Sequence, residues 1–316
     1  MRILLDDPDD ADEQREHRRR RMRRHGRRAY IRSVYFLPSM ATLGNAICGF
    51  GAMYVAAFGD GLISHDPIAR YLLPHRFVAA AYLIFLAMIF DALDGRLARF
   101  ARHTTDFGGQ LDSLADVISF GAAPAFLALQ FFKAQFETTL PFGVSRLIWA
   151  IGALYMSCAA IRLARFNVSN EHGEQHHYSF LGLPSPGAGG VVAGFILMAS
   201  DLLEDIHFLG RFCVYVLPLI VLMSGLLMVS NIRYPHLVNR YMRGRKPLGS
   251  LVPVLVVILL AVWKHRYVIG LGTVVYMCWG LALWLYPKTR NATFVPKSPV
   301  SKNPPAEPPN ETVLKI

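Results

Sequence analysis

Hydrophobic residues gather into eight long runs, at about 36–58, 77–99, 109–132, 145–166, 184–203, 210–230, 248–264 and 267–286, separated by short polar stretches. Each run approaches the roughly 20 residues that a helix needs to cross a bilayer core. Backbone groups in lipid must be satisfied within the segment, which selects helices here, because the strict in–out alternation of a membrane barrel strand is missing. The pattern predicts an all-α polytopic membrane protein of about eight transmembrane helices. Two runs close on the same pentapeptide, Arg96-Leu97-Ala98-Arg99-Phe100 and Arg162-Leu163-Ala164-Arg165-Phe166. Arginines collect where helices leave a membrane, and they also grip anions, so the repeat marks either a boundary or a shared anionic substrate.

Composition supports the membrane reading and adds charge. The 316 residues are 53% hydrophobic, yet the formal net charge is +11. Much of the excess sits in residues 1–33, which open acidic (DDPDDADE) and turn into RRRRMRRHGRR. That segment lacks the apolar core of a secretory leader. It is expected to be a disordered basic tail attracted to anionic headgroups at the cytoplasmic face rather than an arm for nucleic acid. The tail and the basic stretch 231–249 fall on one side of an eight-span count, and the positive-inside rule places that side in the cytoplasm. Both termini and both RLARF copies then face the cytoplasm of a cell (inner) membrane. Lys264-His265-Arg266 falls on the outer side, against the rule. Residues 287–316 are rich in proline and polar groups and are expected to be disordered; the Asn291 and Asn310 glycosylation patterns in them receive no role. Cys48, Cys158, Cys213 and Cys278 each lie inside an apolar run and read as small buried hydrophobes. The domain layout is thus a basic tail (1–33), a membrane core (34–240), two additional spans (241–286) and a Pro-rich tail (287–316).

The chemistry concentrates in DALDGRLARFARHTTDFGGQLDSLADVISFG, residues 91–121. Side chains at i, i+3, i+4 and i+7 share one helical face. Asp91, Asp94, Gly95 and Ala98 therefore form one stripe, and Gly108, Asp112 and Asp116 another. A short connection between antiparallel helices brings the two stripes together. Asp91 lies about 12 Å along its helix from Arg99, at a rise of about 1.5 Å per residue. A carboxylate well inside a span costs about 2.5–3.5 kcal/mol on insertion scales. Four carboxylates around one point repel unless cations sit between them, and hard divalent ions such as Mg²⁺ or Mn²⁺ take oxygen ligands of this type. Two such ions suit a phosphoryl or phosphatidyl transfer. Asp106, on neither stripe, reads as a loop residue or cap.

This stretch follows D-x2-D-G-x2-A-R-x8-G-x3-D-x3-D at Asp91, Asp94, Gly95, Ala98, Arg99, Gly108, Asp112 and Asp116. It resembles the signature of the CDP-alcohol phosphatidyltransferase family, which builds phospholipids in membranes around a six-helix catalytic core. The resemblance implies that Asp91, Asp94, Asp112 and Asp116 hold two divalent ions and that Asp116 is the general base for the acceptor hydroxyl. It implies that Gly95, Ala98 and Gly108 make room for the cytidine diphosphate of CDP-diacylglycerol, that Arg99 contacts its phosphates, and that Thr42 on the first span lies near the nucleotide. It also implies a homodimer. Ser39 departs from the asparagine that the family commonly carries after the preceding proline.

Further words narrow the alcohol. Arg162–Asn167, FLGLPSP (180–186), PSMATLGNAICGFGA (38–52) and LMVSNIRYPH (227–236) resemble segments of bacterial and archaeal integral-membrane phosphatidylserine synthases. The acceptor this implies is L-serine, with a carboxylate for Arg162 or Arg165 to hold as a fork and further hydrogen bonds from Asn167. The same arginines read equally as boundary residues or as ligands of the lipid diphosphate. Pro184 and Pro186 suit the first turn of the fifth span, and His176-His177 read as solvated. Two rivals stay open: the same chemistry on choline, inositol phosphate or glycerol 3-phosphate, and a divalent-cation transporter, because intramembrane carboxylates also mark ion pathways.

Overall fold

The computed structural model describes residues 40–58, 72–101, 106–136, 141–171, 182–232 and 264–285. Both tails, the loop 172–181, with His176-His177, and nearly all of the predicted run 248–264 lie outside the described residues. In chain order the elements are α1 (Met40–Ala56), a 3₁₀ turn (Leu73–His75), α2 (Arg76–Ala101), α3 (Asp106–Asp116), a π turn (Val117–Ala122), α4 (Ala123–Gln135), α5 (Phe142–Glu171), α6 (Ser185–Asp205), α7 (His207–Val229) and α8 (His265–Leu285). No strand occurs among the described residues. Among the described residues, five helical stretches are long and apolar enough to cross a membrane, with α3, the π turn and α4 counting as one, and α1 is a shorter apolar helix. The protein is an all-α polytopic membrane protein. The six predicted runs from 36–58 to 210–230 fall on α1 and these five stretches, and 267–286 falls on α8, which is not one of the five.

The bundle is organised around α6. Its sequence SPGAGGVVAGF is nearly all small residues on every side, and Ala188, Val191, Val192, Ala193, Ile196 and Leu197 are fully buried. Small residues let helix backbones approach closely where lipid removes the hydrophobic drive to associate. A Cβ on Gly270 of α8 would stand 2.6 Å from the Gly194 carbonyl oxygen of α6, so both glycines are fixed by that crossing. The small face of α2, with Ala80, Ala81, Ile84 and Ala87, is likewise fully buried. By contrast, Ile47, Phe50, Trp149 and Leu219 on α1, α5 and α7 are all more than half exposed. Such an apolar exterior is what helices facing hydrocarbon chains require. As the sequence suggests, α6 starts at the paired prolines: Pro184 is its N-cap, and Pro186 occupies the first turn, where a missing N–H costs nothing.

The two ends of the bundle differ in chemistry. At one end lie the start of α8 and the close of α6. There Lys264 pairs with Asp205 at 2.8 Å, Arg266 with Asp201 at 2.5 Å, and the Tyr267 hydroxyl donates to Asp205 at 2.9 Å. The hydrogen bond to Asp205 holds the Lys264 ammonium above its ordinary range. The basic turn that runs against the positive-inside rule is therefore matched by acids from α6. The other end gathers the close of α2, the start of α3, the close of α5 and α7, and the start of α6.

Candidate active site

Helices α2 and α3 carry the four predicted aspartates, and α2 packs against the π turn and α4 that continue α3. Carboxylate oxygens of Asp91, Asp112 and Asp116 all lie within 4.8 Å of one another. Asp94, one turn beyond Asp91, is 5% exposed. Its carboxylate is hydrogen-bonded by the Thr42 side chain of α1 and the Gly95 backbone. The first span thus reaches this site through Asp94. It reaches it again through Asn45, which is fully buried and donates from Nδ2 to Asp116 Oδ1 at 3.0 Å.

The π turn directly after Asp116 completes this contact. Its widened winding is visible where the Ala123 N–H bonds back to the Ile118 carbonyl, and such turns recur at functional sites. Ser119 in the turn donates to the Asn45 carbonyl at 2.8 Å. A Cβ on Gly49 would fall 2.6 Å from the Ser119 Cα, so α1 needs glycine there to lie against the turn. On the other side, the buried Tyr155 hydroxyl of α5 donates to the Phe120 carbonyl at 3.0 Å. The backbone that presents Asp116 is held from both flanks.

Beside the aspartates opens a cavity of about 310 Å³, lined by residues that include Asp112, Asp116, Arg162, Asn167 and Ser185. The Arg162 guanidinium donates to Ser185 Oγ at 2.6 Å, and Ser113 Oγ donates to Asn167 Oδ1 at 3.0 Å. Ser185 is in turn fixed by the Gly-Leu-Pro stretch before it, residues 182–184. Gly182 adopts φ +87°, a conformation other residues avoid, and a Cβ there would collide with the Met228 carbonyl. Its N–H donates to the Ile232 carbonyl at 2.8 Å, and the Leu183 N–H to the Leu227 carbonyl at 2.9 Å. Two of the words singled out in the sequence therefore meet as one latch between the start of α6 and the close of α7.

The predicted residues fall as follows. Asp91, Asp112 and Asp116 converge, with Asp94 buried beside Thr42. Gly95 is exposed, with nothing within 4 Å of where a Cβ would stand; Gly108 is half-buried at the start of α3. Ala98 and Arg99 lie in the last turns of α2, and their side chains fall outside the described residues. Arg162 and Asn167 line the cavity. Arg165 does not line it: its guanidinium reaches Asn231 after α7 at 3.3 Å and 3.4 Å. Sequence reasoning placed no site role on Asn45, Ser113 or Ser185. Ser113 sits between two marked aspartates and Ser185 inside a quoted word, so position offered a signal for both.

The donor set fits a divalent cation. Asp94 Oδ2 and Asp112 Oδ1 are buried without a hydrogen-bond partner, and buried carboxylate oxygens left so are costly unless a cation meets them. All donors are hard oxygens, the ligand type of Mg²⁺ and Mn²⁺.

Comparison with known proteins agrees with this geometry. The family model for CDP-alcohol phosphatidyltransferase matches residues 35–229. A CDP-diacylglycerol–serine O-phosphatidyltransferase of Helicobacter pylori is 33% identical over 257 residues, which is 81% of this chain and 94% of that protein. A protein of the same name from Bacillus subtilis is 32% identical over 202 residues, 64% of this chain and 90% of its own. One from Methanocaldococcus jannaschii is 37% identical over 158 residues, 50% of this chain and 64% of its own. With three aspartates brought together and the match spanning α1 to α7, the chain belongs to the CDP-alcohol phosphatidyltransferase family.

Proposed function

We propose that this protein transfers the phosphatidyl group of CDP-diacylglycerol to the hydroxyl of L-serine, giving phosphatidylserine and CMP at the cytoplasmic face of the cell membrane. The observation that carries the reading is the juxtaposition of three carboxylates within 4.8 Å and a cavity that runs from Asp112 and Asp116 to Arg162 and Ser185. The names of the relatives support serine as the acceptor. The catalytic core is residues 34–240, with two further spans at 241–286 and polar tails at either end. The reading includes a homodimer, as the family resemblance implies.

The serine hydroxyl attacks the phosphorus that carries diacylglycerol, and the bond from that phosphorus to the CMP oxygen breaks. Asp116 takes the hydroxyl proton as the new bond forms. Asn45 occupies one Asp116 oxygen and so directs the other at the substrate. Arg162 holds the serine carboxylate, with the positive end of α6 behind it. Asn167, oriented by Ser113, hydrogen-bonds the same molecule, and Arg165 secures the wall by holding Asn231. Gly95, Ala98 and Gly108 leave room for the cytidine diphosphate, Arg99 meets its phosphates, and Thr42 orients Asp94. Two Mg²⁺ or Mn²⁺ ions held by Asp91, Asp94, Asp112 and Asp116 would neutralise the diphosphate and the departing CMP. Asp201 and Asp205 are paired at the opposite end and do not extend the cluster into a route for ions.

The test is CMP release by the purified protein with CDP-diacylglycerol, Mn²⁺ or Mg²⁺, and serine, choline, inositol phosphate or glycerol 3-phosphate, beside Asp116→Asn. Serine-dependent release that disappears in the variant is expected. Release with another alcohol alone overturns the acceptor, and no release from folded, metal-loaded protein overturns the reaction.

A further inference from the structure

The family match ends at residue 229, yet α8, which starts at His265, lies along the whole of α6. The antiparallel register is legible in four contacts: Asp205 with Lys264, Asp201 with Arg266, Gly194 against Gly270, and Gly187 against Tyr276. This register carries α8 from the ionic end of the bundle to the cavity end. The Tyr276 ring edge stands 3.5 Å from where a Cβ of Gly187 would be. Gly187 is in the first turn of α6, beside the Ser185 whose Oγ accepts from Arg162. The ring of Tyr276 and the guanidinium of Arg162 thus meet the same first turn of α6, two residues apart.

A guanidinium is a planar fork of five donors, and its value for a carboxylate depends on which way the fork points. Ser185 takes one N–H of Arg162 at 2.6 Å, while Nε is buried without a partner. One hydrogen bond leaves the plane free to pivot about it. A second group beside it restricts that freedom, as a binding site needs its contacting residues locked by neighbours. Tyr276 is placed to be that group, with Gly187 leaving space for its ring.

We propose that Tyr276 positions Arg162 for the acceptor carboxylate, so that α8, a helix outside the shared family core, tunes selection of the alcohol. This rests on the serine reading above. In the full-length protein, Tyr276→Phe keeps the ring against Gly187 and removes the hydroxyl. The expected result is a KM for serine raised about tenfold, with kcat and the KM for CDP-diacylglycerol changed less than about twofold and the melting temperature unchanged. In an Arg162→Lys background, which lacks the fork, Tyr276→Phe should add nothing further. An unchanged serine KM overturns the proposal. A parallel rise in both KM values with a lowered melting temperature also overturns it, because that is the signature of lost packing. If the wild-type protein ignores serine, the parent reading falls on its own. Tyr276→Phe is then scored with the alcohol that is used, and no selective change in its KM overturns the role of Tyr276 as well.

Discussion

Replacing Asn45 by leucine should slow the reaction while leaving the fold intact. The side chain is fully buried on α1, and its Nδ2 donates to Asp116 at 3.0 Å. Leucine has the same number of side-chain heavy atoms in the same branched arrangement, so the change removes a hydrogen bond and leaves no void. A hydrogen bond to an ionised group contributes about 1.5–3 kcal/mol. If all of it acts on the transition state, at about 1.4 kcal/mol per factor of ten, kcat falls about 10- to 100-fold. The Asn45 carbonyl still accepts from Ser119, so α1 keeps its hold on the π turn. Ser119→Ala supplies the contrast: it breaks a neutral bond worth about 0.5–1.5 kcal/mol and should lower stability more than rate. The assay is the initial rate of CMP release at saturating substrates, run beside a thermal melt of each variant. A kcat for Asn45→Leu within about threefold of wild type, from protein that melts normally, would refute the idea that Asn45 aims the base.

Three other outcomes follow from the same geometry. Gly182→Ala forces a side chain into the left-handed region at about 1–2 kcal/mol and against the Met228 carbonyl; a lower melting temperature and a raised serine KM are expected, read by thermal melt and CMP release. Wild-type protein should bind Mn²⁺, seen as loss of the free-ion electron paramagnetic resonance signal. Asp112→Asn should weaken that binding at least about tenfold, whether or not substrate is present. Arg266→Ala strands Asp201 at the ionic end, far from the cavity; it should cost about 1.5–3 kcal/mol of stability and leave both KM values unchanged in the CMP assay.

The membrane spans were legible because hydropathy is a local property. So were the aspartate stripes, because i, i+3 and i+4 spacing fixes a helical face whatever else the chain does. Asp91, Asp112 and Asp116 converge as that spacing suggests. What the sequence could not show is which distant helix supports them. Asn45 precedes Asp116 by 71 positions, and a lone asparagine on an apolar span looks the same whether it binds a neighbouring helix or a catalytic carboxylate. The π turn was hidden for another reason. VISFGA is apolar apart from Ser119, and a lone serine in an apolar helix reports no extra winding, because its hydroxyl is as easily satisfied by a carbonyl of its own helix. The two arginines of the second RLARF copy divide: Arg162 lines the cavity, while Arg165, nearly one turn on, reaches Asn231. Three residues of helix rotate a side chain by most of a turn but not all of it, and the neighbouring helices decide which of the two arginines faces the cavity.

The latch at Gly182 has a consequence for engineering. Because Gly182 and Leu183 are hydrogen-bonded to the close of α7, the position of Ser185 is set after the α5–α6 connection has ended, and α5 is anchored separately through Arg162 and Arg165. The cavity wall can therefore be retuned from α7: residues at its close, which accept the Gly182 and Leu183 N–H groups, set where Ser185 stands, and substitutions there shift the acceptor side while the aspartates keep their own supports on α1 and α5.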